Sequence, residues 1–368
     1  DPEGRVQQLG TLVPVCPDGF VMQQPDGTTQ HSEGLPWWLL DMRPQGYLGR
    51  AYAARHGADL GLPPRLGDWT DTHALRALLA HGHDLIGNLL PGDAARAHFL
   101  ATPLPDPIPH PHKPEAYAPL AREAPRGELP GSSAGGEQPK FTTRAMTPAG
   151  PRHVIVKFSE AEAGPVPQRW RDLLLAEHLA LETLRHAGIP AAASRIIDHQ
   201  GQRFLEVERF DRIGDLGRCA LTSLSALDAE FLGTGNGPWP VLTHKLAAAR
   251  RITPGAAHAA ARLWAFGTLI GNTDMHSGNL SFITDQGHPY ALAPAYDMTP
   301  MAFAPRSGGS LPDTLPPADI HASVSNGIWR EAEVLARDFV ARVKAAEGFS
   351  ARFAACVEAL VAHGETAG

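Results

Sequence analysis

The stretch GNTDMHSGNLSF, from Gly271 to Phe282, places polar side chains that could do chemistry between two apolar segments. Within it, Asp274 and Asn279 stand five residues apart. This spacing is typical of phosphoryl-transfer loops, in which the Asp accepts the proton of the substrate hydroxyl and the Asn holds magnesium. The spacing also occurs by chance, and an irregular turn would use the same residue types. It gains weight because the apolar run LSFIT follows, as a strand leaving a catalytic loop should.

A second carboxylate stands where a metal ligand would be expected after such a loop. Asp297 lies eighteen residues beyond Asn279, past the LSFIT strand and a predicted hairpin turn at TDQGHP. Magnesium binds few protein carboxylates when phosphate oxygens complete its shell, so Asn279, Asp297 and a nucleotide would suffice. The alternative is that Asp297 only starts the turn before Met298.

Lys157 lies inside the apolar run VIVKF, where an unpaired ammonium group is costly. Glu177 is the candidate partner, because it falls on the apolar stripe of a predicted helix from Gln168 to His186. A strand lysine paired with a helix glutamate, both directed at phosphates, is the arrangement found in protein kinases. The alternative is an edge-strand Lys157 and a rim Glu177 that never meet.

A glycine- and serine-rich segment, GELPGSSAGGEQPKF (Gly127 to Phe141), precedes that strand. Its glycines would let backbone amides approach phosphates, and its serines could add hydroxyl contacts. The residues in question are Gly131, Gly135, Gly136, Ser132 and Ser133. Since the segment matches neither the Walker pattern nor Gly-x-Gly-x-x-Gly, a flexible linker is the alternative.

The composition limits the class of protein. With 368 residues the chain is long enough for two or three domains. Its mean hydropathy of -0.19 is ordinary for a globular protein, and no run approaches the ~18 apolar residues of a membrane span. No signal-peptide pattern follows Asp1 and no C-x-x-C pair occurs, so we expect a cytoplasmic protein without membrane contact. The net charge of -7 argues against a chain-wide nucleic-acid surface.

Hydrophobic periodicity predicts an α+β chain with four parts. Residues 1–101 form an N-terminal subdomain, and the Pro-rich residues 102–130 form an extended connector. Residues 131–212 form a β-rich lobe, and residues 213–368 a helical lobe. The predicted helices are Asp71–His81, Gln168–His186, Ala257–Ile270 and Gly327–His363, and the predicted strands of the β-rich lobe are His153–Ser159 and Arg203–Phe210.

Taken in order, these motifs resemble those of the HipA family, bacterial serine/threonine kinases that serve as toxins in toxin–antitoxin pairs. Five segments carry the resemblance: SSAGGEQPK, VIVKF, EVERFDR, GNTDMHSGNLSF and LAPAYDM. They lie between Gly127 and Met298, and HDLIGNLLPGD (His83 to Asp93) matches more loosely. The resemblance implies a two-lobed, protein-kinase-like fold with a β-rich N-lobe, a helical C-lobe and an additional N-terminal subdomain.

The resemblance also implies a role for each matching residue. Asp274 would be the catalytic base, and Asn279 and Asp297 would be the magnesium ligands. Lys157, with Glu177, would contact the phosphates of ATP. Further ATP-binding residues would be Ser133, Ala134, Gly135 and Gly136 in the glycine-rich segment, and Glu208 and Phe210 in a hinge that touches adenine.

Two further features concern regulation and a departure from the family pattern. Ser132 or Ser133 matches the serine at which such kinases autophosphorylate, and its roughly two added negative charges would repel nucleotide. Family members commonly carry Lys just before the metal-binding Asn, where this chain has Gly278. His276 lies two residues after Asp274, where typical protein kinases have Lys, so we expect it to assist catalysis.

The implied activity is magnesium-dependent transfer of the ATP γ-phosphoryl group to a protein Ser or Thr, by a toxin that inhibits growth. The implied partners are an antitoxin and a protein substrate such as a translation factor, for example an aminoacyl-tRNA synthetase. We expect DNA contact only through the antitoxin or through a segment preceding Asp1. Two alternatives stay open: a small-molecule kinase of the choline or aminoglycoside type, and a non-catalytic kinase-like scaffold that binds DNA or an antitoxin.

Overall fold

The computed structural model describes residues 1–15, 19–127, 136–235 and 237–366. Within them, short alternating runs form strands and longer amphipathic runs form helices. The strands are β1 (Thr11–Pro14), β2 (Phe20–Gln23), β3 (Thr29–Ser32), β4 (Lys140–Thr147), β5 (Gly150–Phe158), β6 (Ser194–His199), β7 (Gln202–Glu208), β8 (Arg212–Ile213), β9 (Gly217–Arg218), β10 (Leu221–Ser223), β11 (Ser281–Ile283) and β12 (Ala291–Leu292). The helices are α1 (Gly46–His56), α2 (Asp71–His81), α3 (Gly92–Ala101), α4 (Lys113–Glu123), α5 (Pro165–His186), α6 (Leu224–Phe231), α7 (Trp239–Ala248), α8 (Pro254–Leu269), α9 (Asn326–Ala345) and α10 (Ala354–Thr366).

The N-terminal subdomain combines the antiparallel sheet β1-β2-β3 with helices α1 to α3. Helix α2 has the predicted bounds because Thr70 caps it, accepting a hydrogen bond from the backbone N–H of His73. Two small groups of buried side chains support the subdomain, one around Leu39 and Leu78 and the other around Tyr52 and Trp69. The subdomain therefore has two small apolar cores that are separate from those of the two lobes.

The N-lobe is an antiparallel sheet in the order β4-β5-β7-β6, with α5 packed against it. Val154, Val156 and Phe158 alternate along β5 and are buried in one core cluster, while Lys157 points to the other face. The predicted strands and the predicted α5 helix are confirmed, although α5 begins three residues early. It begins at Pro165 because proline is favoured in the first helical turn.

The expectation of an extended connector was wrong where α4 forms, because proline in the first turn of a helix supports helical structure. Helix α4 lies against the N-lobe, and two of its side chains are buried there. The Lys113 ammonium lies 2.6 Å from Oε2 of Glu206 on β7, and the Tyr117 hydroxyl donates to the same carboxylate. These partners lie about ninety residues away in the chain, so local composition could not reveal them.

The C-lobe packs α6 to α10 and one face of α5 around the largest apolar core. Helix α8 confirms the helix predicted before the catalytic loop and begins early because Thr253 caps it. The hairpin expected at TDQGHP also forms, since β11 and β12 pair antiparallel. The predicted tail helix is two helices, α9 and α10, separated near Gly348, whose φ of 102° is left-handed. No helix in the described residues is long and apolar enough to cross a membrane.

We predict that the charged group joining α4 to the sheet contributes strongly to stability. Lys113→Met should lower the free energy of unfolding by about 3–5 kcal/mol, because it leaves the buried Glu206 carboxylate without its cation. Tyr117→Phe removes one hydrogen bond to the same charge and should cost about 1.5–3 kcal/mol. Arg185→Ala serves as the control, because it breaks an exposed pair with Glu182. It should lower the free energy of unfolding by only about 0–1 kcal/mol.

Equilibrium unfolding in urea measures these differences. A Lys113→Met protein as stable as the Arg185→Ala control would contradict the assigned role of the buried pair.

Candidate functional site

A cavity of about 360 Å³ lies where the N-lobe, the C-lobe and the N-terminal subdomain meet. The N-lobe contributes strand side chains and the hinge after β7, and the C-lobe contributes the loops around β11 and β12. Of the residues predicted from the sequence, the cavity is lined by Gly136, Lys157, Glu177, Glu208, Phe210, His276, Asn279 and Asp297. The structure thus brings these residues of the N-lobe and the C-lobe to one cavity, which the predicted base Asp274 does not line.

Lys157 stands on β5, a central strand of the N-lobe sheet, and it meets both predicted carboxylates. Its Nζ lies 2.6 Å from Oε1 of Glu177 and forms a second ion pair with Asp297. Burial alone would lower the pKa of Lys157, but the charges of Asp297 and Glu177 outweigh burial and raise it above its ordinary value. The alternative in which Lys157 and Glu177 never meet was wrong.

Glu177 is fixed from two sides. Its second oxygen, Oε2, accepts a hydrogen bond of 2.7 Å from the hydroxyl of Thr299. The Glu177 side chain is only 1% exposed, and Thr299 is buried too. Helix α5 is therefore tied through this carboxylate to the lysine of β5 and to the segment after Asp297.

The predicted catalytic loop follows α8, and two asparagines hold its shape. Asn272 is buried, accepts from the backbone N–H of Asp274 at 3.0 Å, and donates to the carbonyl of Asp297 at 3.1 Å. Asn279 donates to the carbonyl of Asp274 at 2.9 Å, so its Oδ1 is left as an acceptor. Sequence reasoning missed Asn272, although a buried amide is expected to hydrogen-bond to its surroundings.

The two aspartates of the site differ in their surroundings. Asp297 has a left-handed φ of 53°, a strained backbone for a residue other than glycine. Burial would raise the pKa of Asp297, but Lys157 and Lys140 outweigh it and lower the pKa. Asp274 is exposed and is not among the described residues that line the cavity. Partial desolvation still raises the pKa of Asp274, and the nearby charge of Asp297 adds to the effect.

His276 supports the loop through its ring and its backbone. Its Nδ1 accepts from the N–H of Gly278 at 3.1 Å, and its carbonyl accepts from the Trp239 indole at 3.0 Å. A Cβ on Gly278 would lie 2.9 Å from the His276 ring. A side chain at position 278 would therefore displace the His276 ring, and a direct catalytic role for His276 stays a prediction.

The predicted hinge, Glu208 to Phe210, lies at the end of β7. The N–H of Glu208 donates to the carbonyl of Ala193 at 2.8 Å, which fixes the backbone there. The Phe210 ring lies 6.0 Å from that of Tyr296, between their centroids. Tyr296 was not predicted, and its hydroxyl bonds to Ser281 and to the carbonyl of Gly278.

Lys140 is a second lysine that the sequence reasoning did not assign. It stands on β4 directly opposite Lys157 of β5 and is buried. Burial lowers its pKa to about 8, although the charges of Asp297 and Glu177 act in the opposite direction. Its position at the end of SSAGGEQPK, just before an alternating strand, is the signal that could have identified it.

The glycine-rich segment is described only at its edges. The predicted residues Ser132, Ser133, Ala134 and Gly135 lie outside the described residues. Gly136 lines the cavity, has a left-handed φ of 86°, and accepts from the N–H of Tyr47 at 3.0 Å.

The N-terminal subdomain supplies a wall of the cavity that sequence reasoning missed. Asp41 accepts from the backbone N–H of Ser223 at 2.7 Å and from its hydroxyl at 2.6 Å. Asp84 forms ion pairs with Arg209 and Arg212 of the hinge region, at 3.0 and 2.8 Å. The subdomain is therefore fixed to both lobes by charged contacts.

Comparisons with known proteins agree with this geometry. Residues 132–363 match the family model described as HipA-like C-terminal domain, and residues 1–100 match the one described as YjjJ-like toxin, middle domain. Toxin YjjJ of Escherichia coli (strain K12) is 40% identical over 341 residues, which cover 92% of this chain and 76% of that protein.

A solved structure shares the fold. HipA of the Shewanella oneidensis MR-1 toxin–antitoxin system, solved with HipB and operator DNA, aligns with a TM-score of 0.61 at 16% identity. The alignment covers 98% of this chain and 95% of that chain. With its family-model matches and its identity to Toxin YjjJ, the chain belongs to the HipA-like toxin family and has a two-lobed, kinase-like fold.

Proposed function

We propose that the chain is a kinase that transfers the γ-phosphoryl group of ATP to a Ser or Thr hydroxyl of a protein. The observation that carries the proposal is the contact of Lys157 with Glu177 and Asp297 at one cavity. A scaffold without activity has no need to keep Lys157, Asp274, Asn279 and Asp297 together. The same cavity is lined by Glu208 and Phe210, which would contact adenine, and by Asn279, which would bind the metal ion.

The residues divide the work between positioning and charge. Lys157 and Lys140 supply positive charge for the phosphates, and Glu177 holds Lys157 in place. The Glu208–Phe210 hinge and the Tyr296 ring would hold adenine at the other end of the cavity. Such a site lowers the barrier mainly by orientation and charge neutralisation, since phosphoryl transfer needs little covalent chemistry from the protein.

Asn279 and Asp297 fit a magnesium ion. Both present oxygen donors at the cavity, and Asn279 uses only its amide NH₂ within the loop. Within the described residues no cluster of three or more His, Cys, Asp or Glu side chains could hold a metal ion. Phosphate oxygens would therefore have to complete the shell, as magnesium prefers. When bound, the ion would neutralise charge on the β- and γ-phosphates.

Asp274 is the proposed base for the substrate hydroxyl. Its exposed carboxylate suits a partner that arrives from solvent, while its backbone is held by Asn272 and Asn279. Raising the pKa of an aspartate makes it a better proton acceptor in its ionised form. Autophosphorylation at Ser132 or Ser133 would add roughly two negative charges, which would oppose ATP binding.

The family supports a toxin role controlled by an antitoxin, as the assembly of the Shewanella HipA with HipB suggests. We propose an antitoxin partner for this chain and contact with DNA through that partner. The protein substrate would be a translation factor such as an aminoacyl-tRNA synthetase.

Incubation with magnesium and γ-labelled ATP tests the activity. We expect label on Ser132 or Ser133 in the wild type and at least about 100-fold less in Asp274→Asn, because general-base catalysis is worth that much. Mass spectrometry maps the sites, and calorimetry measures ATP binding. No label and no ATP binding would refute the kinase and favour the scaffold, whereas ATP binding without protein labelling would point to a small-molecule substrate.

The pH dependence of kcat/KM should be bell-shaped, since this ratio reports the ionisable groups of the free enzyme. Activity should fall as the pH drops through the raised pKa of Asp274, which must be ionised to act as a base. It should also fall as the pH rises above about 8, where Lys140 loses its charge. Lys140→Arg should shift the alkaline limb of the profile to higher pH, because arginine stays charged. An alkaline limb at the same pH in this variant would show that another group causes the loss of activity.

Asn272→Ala tests whether the loop is held as described. The variant leaves the N–H of Asp274 and the carbonyl of Asp297 without their partner, so phosphoryl transfer should fall roughly 100-fold. The free energy of unfolding should fall by about 1–3 kcal/mol. Thr273→Ala, a change at the exposed neighbour, is the control and should leave both unchanged. Equal activity in the two variants would exclude a positioning role.

A further inference from the structure

The loop of residues 83–88, between α2 and α3 of the N-terminal subdomain, contacts the predicted hinge at the end of β7. Asp84 of this loop pairs with Arg209 at 3.0 Å and with Arg212 at 2.8 Å. Both arginine side chains are buried, at 5% and 3% exposed. Arg209 is the central residue of the predicted hinge, so a carboxylate of the subdomain holds the hinge at its middle.

Backbone groups of the loop make the contact reciprocal. The carbonyl of Leu85 accepts from Nη2 of Arg209, at 3.3 Å, and from Nη2 of Arg212. The carbonyl of Gly87 accepts from Nη1 of Arg212 at 3.0 Å, and the N–H of Gly87 donates to the Asp211 carboxylate at 3.1 Å. Several charge-assisted hydrogen bonds in fixed directions determine the relative position of loop and hinge more closely than one ion pair would.

The contact places two arginines and two aspartates in one largely buried group. Burial would raise the pKa of Asp84 and of Asp211, but the charges of Arg209 and Arg212 outweigh burial and lower both pKa values. Removing one member of a buried charged group leaves the others uncompensated, which is strongly unfavourable. Asp84 is the member that the subdomain supplies, so the hinge arginines depend on the subdomain for part of their negative charge.

The same loop is anchored in the subdomain on one side and reaches the cavity on the other. The Leu85 side chain is 1% exposed and packs in the core around Leu39 and Leu78. The next residue, Ile86, lines the cavity with Asp84 and the hinge residues. An apolar side chain beside the hinge suits the face of a base rather than a phosphate, which requires charge or hydrogen-bond donors.

Resting on the proposed kinase function, we propose that the loop of residues 83–88 is part of the nucleotide site. Ile86 contacts the adenine base, and Asp84 is a positioning residue that holds the hinge through Arg209 and Arg212. The N-terminal subdomain thereby contributes affinity at the adenine end of the cavity, while the two lysines of the N-lobe sheet serve the phosphates.

Ile86→Ala and Asp84→Asn test the proposal by calorimetry with three probes: magnesium–ATP, adenosine and inorganic tripolyphosphate with magnesium. Both variants should raise the Kd for ATP and for adenosine roughly tenfold, because a lost apolar contact or a displaced hinge weakens the binding of the base. The Kd for tripolyphosphate should stay unchanged, because Lys157 and Lys140 remain in place.

Two variants serve as matched controls. Asp198→Asn removes an aspartate charge that is paired with another buried arginine of the N-lobe, Arg203, at 2.7 Å. Leu79→Ala truncates an exposed apolar side chain on α2 of the same subdomain. Neither of these described residues lines the cavity, so all three Kd values should stay near those of the wild type.

Hydrogen exchange of the backbone amides of residues 209–212, measured without nucleotide, follows the hinge directly. Exchange should be faster in Asp84→Asn than in Asp198→Asn, because only the first variant releases the hinge arginines. Equal exchange in these two variants, or Kd values equal to those of the controls, would overturn the proposal. A tripolyphosphate Kd that rises as much as the ATP Kd would also overturn it, because the effect would then not be confined to the adenine end.

Two further outcomes are decisive. If Asp84→Asn does not fold, an unchanged adenosine Kd in Ile86→Ala, which removes no charge, overturns the proposal by itself. Faster exchange in Asp84→Asn, in a protein whose wild type binds no ATP, would refute the kinase function and with it the adenine contact, while supporting the positioning of the hinge by Asp84.

Discussion

A lysine ammonium buried in a sheet needs carboxylate partners, and the geometry of the site depends on how Lys157 meets this need. An unpaired charge in such a place would cost several kcal/mol. Its partners come from helix α5, 20 residues away, and from the loop after β12, 140 residues away. One charged group therefore fixes the N-lobe sheet, the helix against it and the C-lobe loop that carries Asp297 relative to one another.

The C-lobe side of this contact is held by a second layer of hydrogen bonds. Asn272 joins the backbones of Asp274 and Asp297, so one side chain links the proposed base to the proposed metal ligand. The strained φ of Asp297 persists because Asn272 and Lys157 hold the residue from both sides. The side chains of Asn272, His276 and Asn279 each bond to a backbone group of the loop, which explains the polar residues at these three offsets.

Two kinds of feature could be predicted from the sequence: those fixed by residues close in the chain, and those in which a buried charge requires a partner. Thr70 marks the start of α2, and a lysine within VIVKF calls for a carboxylate such as Glu177. Other features depend on register and distant packing, which spacing alone does not reveal. Lys140 gains its meaning only from standing opposite Lys157, and α4 is stabilised by Glu206 on another element. The cavity wall from the N-terminal subdomain was missed for the same reason.

The two partners of Lys157 are not equivalent, and the difference suits the proposed binding of phosphates. The Glu177 side chain is 1% exposed and bonded to Thr299, whereas that of Asp297 is 25% exposed. An arriving phosphate can compete with Asp297 for the lysine but cannot reach the far side of Glu177. Lys157 would therefore keep its position through Glu177 while Asp297 becomes available to a cation. The buried pair with Glu177 fixes Lys157, and the accessible pair with Asp297 can be exchanged for a ligand. One ammonium group could therefore stabilise the fold and also bind phosphate.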